Sequence, residues 1–121
     1  MILLLIIIGG FIGACFRYLL TGYLHKYNRA FPTATLIINL VGSGFIGFVA
    51  GLDIKQGTGL HILIVTGILG AFTTFSTFAI EALELLQGKE YKVFWIYCFL
   101  SLAGSSITCM FFYSLMKIIG H

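Results

Sequence analysis

Long apolar runs alternate with short polar segments along this chain, and the runs predict its architecture. A run of about 20 apolar residues is long enough to cross the hydrocarbon core of a bilayer as a helix. The sequence predicts four such helices, over about residues 2–24, 30–52, 58–86 and 93–117. Because the connections between them are too short for an extramembrane domain, residues 1–121 are predicted to form a single all-α transmembrane domain.

The third apolar run is longer than one straight membrane helix requires, and its middle is polar. Residues 70–78 combine a glycine, three threonines and three phenylalanines at three-residue spacing. Because β-branched threonines lower helix propensity, we predict that the third helix is broken here, near the membrane centre. A break at membrane depth frees backbone carbonyls, which protein, water or a cation must then satisfy.

The composition indicates that lipid is the solvent of this chain. Hydrophobic residues make up 60% of it and charged residues only 9%, whereas a typical soluble domain is about 25% charged. A multi-pass protein of the cell membrane is therefore expected. The net charge of +3 comes from basic residues at predicted helix ends, which argues against a nucleic-acid partner. No nucleophile, base and orienting group occur at workable spacing, so we do not expect an enzyme.

The loop charges bear on how the chain inserts and assembles. Four spans would place the first and third loops on one side of the membrane, with the basic residues Lys26, Arg29, Lys89 and Lys92. The other side would have Lys55 and Lys117. This positive-charge bias is small, so either orientation is open. A chain that inserts both ways can pair with its own inverted copy as an antiparallel, dual-topology dimer. Small residues at i, i+4 spacing on the first two helices would suit such an interface.

Polar side chains within the apolar runs are the candidate functional residues, because they are costly in lipid and tend to face a cavity. The second run contains Asn39, and one face of the fourth run presents Tyr97, Ser101, Ser105 and Thr108. A single serine or threonine often bonds its own helix carbonyl, but a four-member stripe favours a lined path. Phenylalanines at helical spacing often serve only packing. However, phenyl rings have weakly positive edges that attract an anion without trapping it.

Several of these residues occur in an order and spacing that resemble the Fluc (CrcB) family of fluoride channels. The match consists of Gly9-Gly10, Gly13-Ala14, Arg17-Tyr18, Phe31-Pro32, Thr35-Leu36, Asn39, Gly42, and Gly70 followed by Thr73-Thr74-Phe75-Ser76-Thr77-Phe78. The last block is the most specific part. The likeness covers essentially the whole chain, with one departure at Ala34, where members of that family usually have glycine.

The resemblance implies a passive, fluoride-selective conductance that exports cytoplasmic fluoride and confers fluoride resistance. It implies an antiparallel dimer with two pores, formed with a copy of the chain or with a paired homologous chain. Phe75 and Phe78 would line the pore, and Asn39 would orient one of these rings. Ser101, Ser105 and Tyr97 would form the side of the path contributed by the fourth helix.

The resemblance also implies roles for a cation and for two charged side chains. Backbone carbonyls of Gly70 and Thr73 would bind a structural sodium ion at the centre of the dimer. Arg17 would attract anions towards a vestibule or pair near the interface, and Glu81 matches an acidic residue beyond the break.

Two other functions fit a small protein with four membrane helices. A multidrug-type proton-coupled antiporter needs an ionisable carboxylate deep in the membrane. The first helix has Arg17 instead, and Glu81 and Glu84 lie towards the end of the third. A non-conducting assembly subunit would use the same glycines and hydroxyls only for packing. The amino-acid pattern does not separate channel from carrier.

Overall fold

The computed structural model describes residues 1–26 and 31–120, and all the regular structure in these residues is helical. The elements are α1 (Ile2–Leu24), α2 (Thr33–Gly51), α3 (Gly59–His61), a π-helical segment (Ile62–Leu69), α4 (Gly70–Phe72), α5 (Phe75–Gln87) and α6 (Tyr91–Ile119). Within the described residues, four helical stretches are long and apolar enough to cross a membrane. The third is the composite stretch Gly59–Gln87, so the prediction of four spans is confirmed.

The helix ends differ most from the predicted ones at the start of α2 and at both ends of α6. Helix α2 begins at Thr33, directly after Pro32, which has no N–H and a non-helical ψ of 62°. The predicted start at Ala30, and the loop charge of Arg29, lie outside the described residues. Helix α6 extends further than predicted at both ends, so Lys92 lies in its first turn.

The third stretch is interrupted where the sequence predicted a break. Thr73 and Thr74 both have extended backbone angles, with ψ values of 151° and 119°. Helix α5 then begins at Phe75, and the Thr74 side chain caps it by accepting a hydrogen bond from the backbone N–H of Thr77. Fourteen residues of the stretch precede these two threonines and 13 follow them, so the interruption lies at its middle.

The glycine stripes serve packing within the chain. A Cβ on Gly9 would lie 2.6 Å from the carbonyl oxygen of Leu63, and a Cβ on Gly13 would overlap the carbonyl of Ile68, so α1 lies directly against the π-helical segment. A Cβ on Gly47 would likewise overlap the carbonyl of Cys109 in α6. The contacts that exclude a side chain at these three glycines come from the same chain, so packing within the chain accounts for them without a dimer interface.

The π-helical segment is a feature that the apolar pattern did not predict. At its end the N–H of Gly70 donates to the carbonyls of both Val65 and Gly67. Eight residues of π-helix are unusual, since most π-helix occurs as single turns within α-helices. The segment leads directly into α4 and the break, so it sets where the backbone of the break lies.

Candidate functional site

Asn39 holds the break from the neighbouring helix α2. Its side-chain nitrogen donates to the carbonyl oxygen of Thr74, and its side-chain oxygen accepts from the N–H of the same residue, both at 2.9 Å. The amide thus pairs with one backbone unit much as a neighbouring strand would. Because Thr74 is only 7% exposed, these bonds satisfy backbone groups that have little access to water.

The same arrangement deprives carbonyls around the break, Gly70 and Thr73 among them, of their helical donors. In a continuous α-helix the N–H of Thr74 would bond the carbonyl of Gly70, and that of Thr77 would bond the carbonyl of Thr73. Here the N–H of Thr74 bonds Asn39, and the N–H of Thr77 bonds the Thr74 hydroxyl at 3.2 Å. The carbonyls of Gly70 and Thr73 therefore lose the bonds that an unbroken helix would give them. These are the two carbonyls that the family resemblance implies as ligands of a structural sodium ion.

A groove runs beside the break between α2 and α6. Its volume is about 300 Å³, and it is open along one side. It is lined by Asn39, Ser43 and Ile46 of α2, by Thr73, Thr74, Phe75 and Phe78 around the break, and by Ser101, Leu102, Ser105 and Ser106 of α6. The structure thus brings most of the predicted pathway residues to one place, with hydroxyls on one wall and aromatic rings on the other.

The aromatic wall connects the surface of the chain to its interior. Phe75 is 74% exposed, whereas Phe78 is buried, and their ring centroids lie 5.7 Å apart with the planes tilted by 44°. Phe78 in turn lies 5.2 Å from the ring of Tyr97, which is fully buried. A species that follows the groove inward therefore meets the Phe75 ring, then the Phe78 ring, and then the part of α6 that contains the buried residues Tyr97 and Ser101.

Ser101 lies in this buried part of α6, and its hydroxyl is unused. The residue is 6% exposed, and its side-chain oxygen has no hydrogen-bond partner among the described residues. Buried hydroxyls without partners are rare, because the lost hydration is costly. A donor in this position indicates a place for a small hydrogen-bond acceptor. By contrast, the hydroxyl of Ser106, on the same groove, donates to the carbonyl of Leu102 in its own helix.

A carboxylate network lies behind the aromatic wall, and sequence reasoning missed it. The hydroxyl of Tyr97 donates to one oxygen of Glu81 at 2.6 Å, and the hydroxyl of Thr35 donates to the other at 2.9 Å. Thr35 and Tyr97 are both buried, so the carboxylate ties α5 to α2 and α6. The available signal was Glu81 itself, one of two acidic residues in the largely apolar helix α5, since such a group needs donors nearby.

Among the predicted residues, Tyr97, Thr108 and Arg17 do not line the groove, and Tyr97 is fully buried. The hydroxyl of Thr108 bonds the carbonyl of Gly104 at 2.7 Å, and its side chain lines a separate apolar cavity with Gly44 and Phe112. Arg17 is half-buried in α1 and has no ion-pair partner in the described parts of the chain. The predicted hydroxyl stripe on α6 therefore divides, with Ser101 and Ser105 on the groove and Thr108 away from it.

Comparison with known proteins identifies relatives over most of the chain. The sequence model of the family described as CrcB-like protein, Camphor Resistance (CrcB), matches residues 4–113. The fluoride-specific ion channel FluC 1 of Moorella thermoacetica is 44% identical over 114 residues, which cover 91% of this chain and 81% of that protein. FluC of Chlorobium chlorochromatii, also a fluoride-specific ion channel, is 40% identical over 108 residues, covering 87% and 84%. A shorter match, 49% identical over 75 residues, joins 60% of this chain to 57% of the fluoride-specific ion channel FluC 1 of Methanosarcina acetivorans.

Proposed function

Because the chain belongs to the CrcB family, we propose that it is a fluoride-selective ion channel, a multi-pass membrane protein that lets fluoride leave the cytoplasm down its electrochemical gradient. The observation that carries the proposal is the buried hydroxyl of Ser101, which lies on the groove beside the rings of Phe75 and Phe78 and has no partner in the described residues. Fluoride is a small anion and accepts hydrogen bonds strongly, so it suits this donor.

The groove offers fluoride weak but continuous stabilisation. The hydroxyls of Ser101 and Ser105 on one wall can donate hydrogen bonds to the anion. The rings of Phe75 and Phe78 line the other wall, where a weakly positive ring edge turned towards the anion would attract it. The described lining contains no lysine, arginine or histidine that would bind the anion tightly. Conduction requires binding that is strong enough to replace water and weak enough to allow exit. A path of hydroxyls and ring edges meets both conditions.

Asn39 acts as a positioning residue in this proposal. Its amide fixes the backbone of Thr74, the residue immediately before Phe75, and the cap that Thr74 provides starts helix α5. The directions of the Phe75 and Phe78 rings follow from where that helix begins. This supports the expected role of Asn39 in orienting the aromatic rings.

An antiparallel dimer would complete the path. The groove is open along one side, and Phe75 is 74% exposed at its edge, so one chain alone does not enclose an ion. A second, inverted copy placed against the break would supply the missing wall. The proposal predicts a two-chain assembly in detergent, which measurement of the mass of the protein–detergent complex checks. A stable single chain that conducts fluoride would contradict it.

A structural sodium ion fits the freed carbonyls of Gly70 and Thr73. Sodium sites in membrane proteins are built from carbonyls of unwound helix, and these two have lost their helical donors. A two-fold axis beside the break would bring four such oxygens together. If this holds, replacing sodium by a large organic cation lowers the stability of the dimer. Equal stability in both salts would refute the sodium site.

The proposed function is tested with the purified chain alone in liposomes. Fluoride release into the outer solution is followed with a fluoride electrode, and chloride-loaded liposomes serve as the control. The expected result is rapid release of fluoride and negligible release of chloride. Equal release of both ions, or no release of fluoride, would contradict the proposal.

A further inference from the structure

A second polar cavity lies at the end of α2 and α6, separate from the groove. Its volume is about 400 Å³, and its polar lining includes Asp53, Lys55, Gln56, His61 and Tyr113. It is formed where α2 has ended and α3 begins, so it lies at the edge of the apolar stretches. None of the predicted pathway residues lies in it.

The cavity continues the line of the groove. On α2, Ile46 lines the groove and Ala50 lines the cavity. Residues four apart share one helix face, and these two are separated by only about 6 Å along the axis. On α6, Ser106 lines the groove and Tyr113 lines the cavity, and the two residues lie two turns, or about 10 Å, apart along the axis. Both helices therefore carry the line of the groove towards the cavity.

In the part of the chain that the structure describes, the lysine and aspartate charges around the cavity form one ion pair and one further cation. The ammonium of Lys117 contacts both carboxylate oxygens of Asp53 at 2.6 Å and lies 6.0 Å from the centre of the Tyr113 ring. Asp53 has a left-handed φ of 54°, a conformation that aspartate tolerates better than most residues. This turn after α2 places the carboxylate against α6.

The further cation is Lys55, on a turn that is internally fixed. The hydroxyl of Thr58 donates to the carbonyl of Lys55 at 2.9 Å and accepts from the N–H of His61. The Asp53–Lys117 pair is neutral as a whole, so Lys55 leaves the cavity with a positive charge. The cavity is thus more attractive to anions than the groove behind it.

We propose that this cavity is the mouth of the fluoride pathway, an inference that rests on the proposed function. Lys55 raises the local concentration of the anion. Because Asp53 pairs with Lys117, its negative charge offsets the attraction of Lys117 for the anion. Asp53 itself repels fluoride, so its bidentate pairing with Lys117 keeps the mouth from becoming a barrier.

The size of the effect follows from Coulomb's law. A unit charge about 10 Å away in water changes the local concentration of a monovalent anion about two-fold. The effect is screened by salt, because the Debye length falls from about 30 Å at 0.01 M to about 3 Å at 1 M ionic strength. A charge that acts only at the mouth therefore alters the rate of entry at low salt and not at high salt.

The test compares fluoride release from liposomes for the wild type, Asp53→Asn and Lys55→Gln, at ionic strengths of about 0.01 M and about 1 M. The matched control is Lys92→Gln, which removes an exposed lysine from the opposite end of α6. At low salt we expect release about two-fold faster with Asp53→Asn and about two-fold slower with Lys55→Gln. At high salt all four proteins should agree. Asp53 is 74% exposed, so its replacement leaves the fold intact.

Two results overturn the assignment of the mouth while the proposed function stands. One is wild-type rates for both variants at low salt. The other is a change with Lys92→Gln as large as that with Lys55→Gln. No fluoride release from the wild type would instead refute the proposed function, and the mouth with it.

Discussion

Replacing Asn39 by alanine removes both hydrogen bonds that hold the break, and its cost can be bounded from the structure. The two bonds join one amide to both backbone groups of Thr74. Side-chain hydrogen bonds in membrane proteins contribute about 0.6 kcal/mol each on average, whereas a buried group left unpaired costs about 1–3 kcal/mol. Because the groove is open, water replaces part of what is lost. We expect the free energy of unfolding to fall by about 2 kcal/mol.

Equilibrium unfolding in mixed detergent micelles measures this loss, and fluoride release from liposomes measures its effect on conduction. Ser43→Ala is the matched control, since Ser43 lies one turn further along α2 on the same groove and its side chain makes no hydrogen bond in the described residues. Asn39→Ala should be less stable than this control and slower in fluoride release, because helix α5 no longer starts at a fixed place. Equal stability of the two variants would refute the role given to Asn39.

Two further predictions concern packing and the carboxylate network. Gly9→Ala should destabilise the protein by about 1–3 kcal/mol, because the new methyl group meets backbone atoms of the π-helical segment. Gly10→Ala is the control, since its methyl group has open space and should be neutral or slightly stabilising. Equal unfolding curves for the two variants would contradict the close approach of α1 to the π-helical segment. Tyr97→Phe should cost about 1–3 kcal/mol, because one oxygen of Glu81 loses its donor. If the Tyr97→Phe variant and the wild type unfold at the same denaturant concentration, this hydrogen bond contributes nothing to stability.

The sequence predicted the features that depend on local composition. Four apolar runs predicted four helices, because the length of a membrane helix is set by the thickness of the bilayer. The threonine-rich block predicted the interruption, because β-branched residues weaken a helix from within. Its placement at Thr73 and Thr74 depends on Asn39, which is 35 residues away from Thr74 along the chain. No local pattern contains that information.

Other features of the site depend on contacts between helices and were not predictable from the pattern. The stripe on α6 looked uniform, yet only the packing of α2 against α6 places Ser101 on the groove and Thr108 in an apolar cavity. The π-helical segment is an unremarkable apolar run in sequence. The partners of Glu81 come from α2 and α6, so its network appears only when three helices meet.

The central claim is that fluoride passes along the groove beside the rings of Phe75 and Phe78. The most direct test is fluoride release from liposomes for the wild type, Phe75→Ile and Phe78→Ile, with Phe99→Ile as the control because Phe99 is exposed on α6 and absent from the groove lining. The account predicts suppressed release in the first two variants, wild-type release in the control, and the same assembly in all four proteins. Normal release in both Phe75→Ile and Phe78→Ile would contradict it.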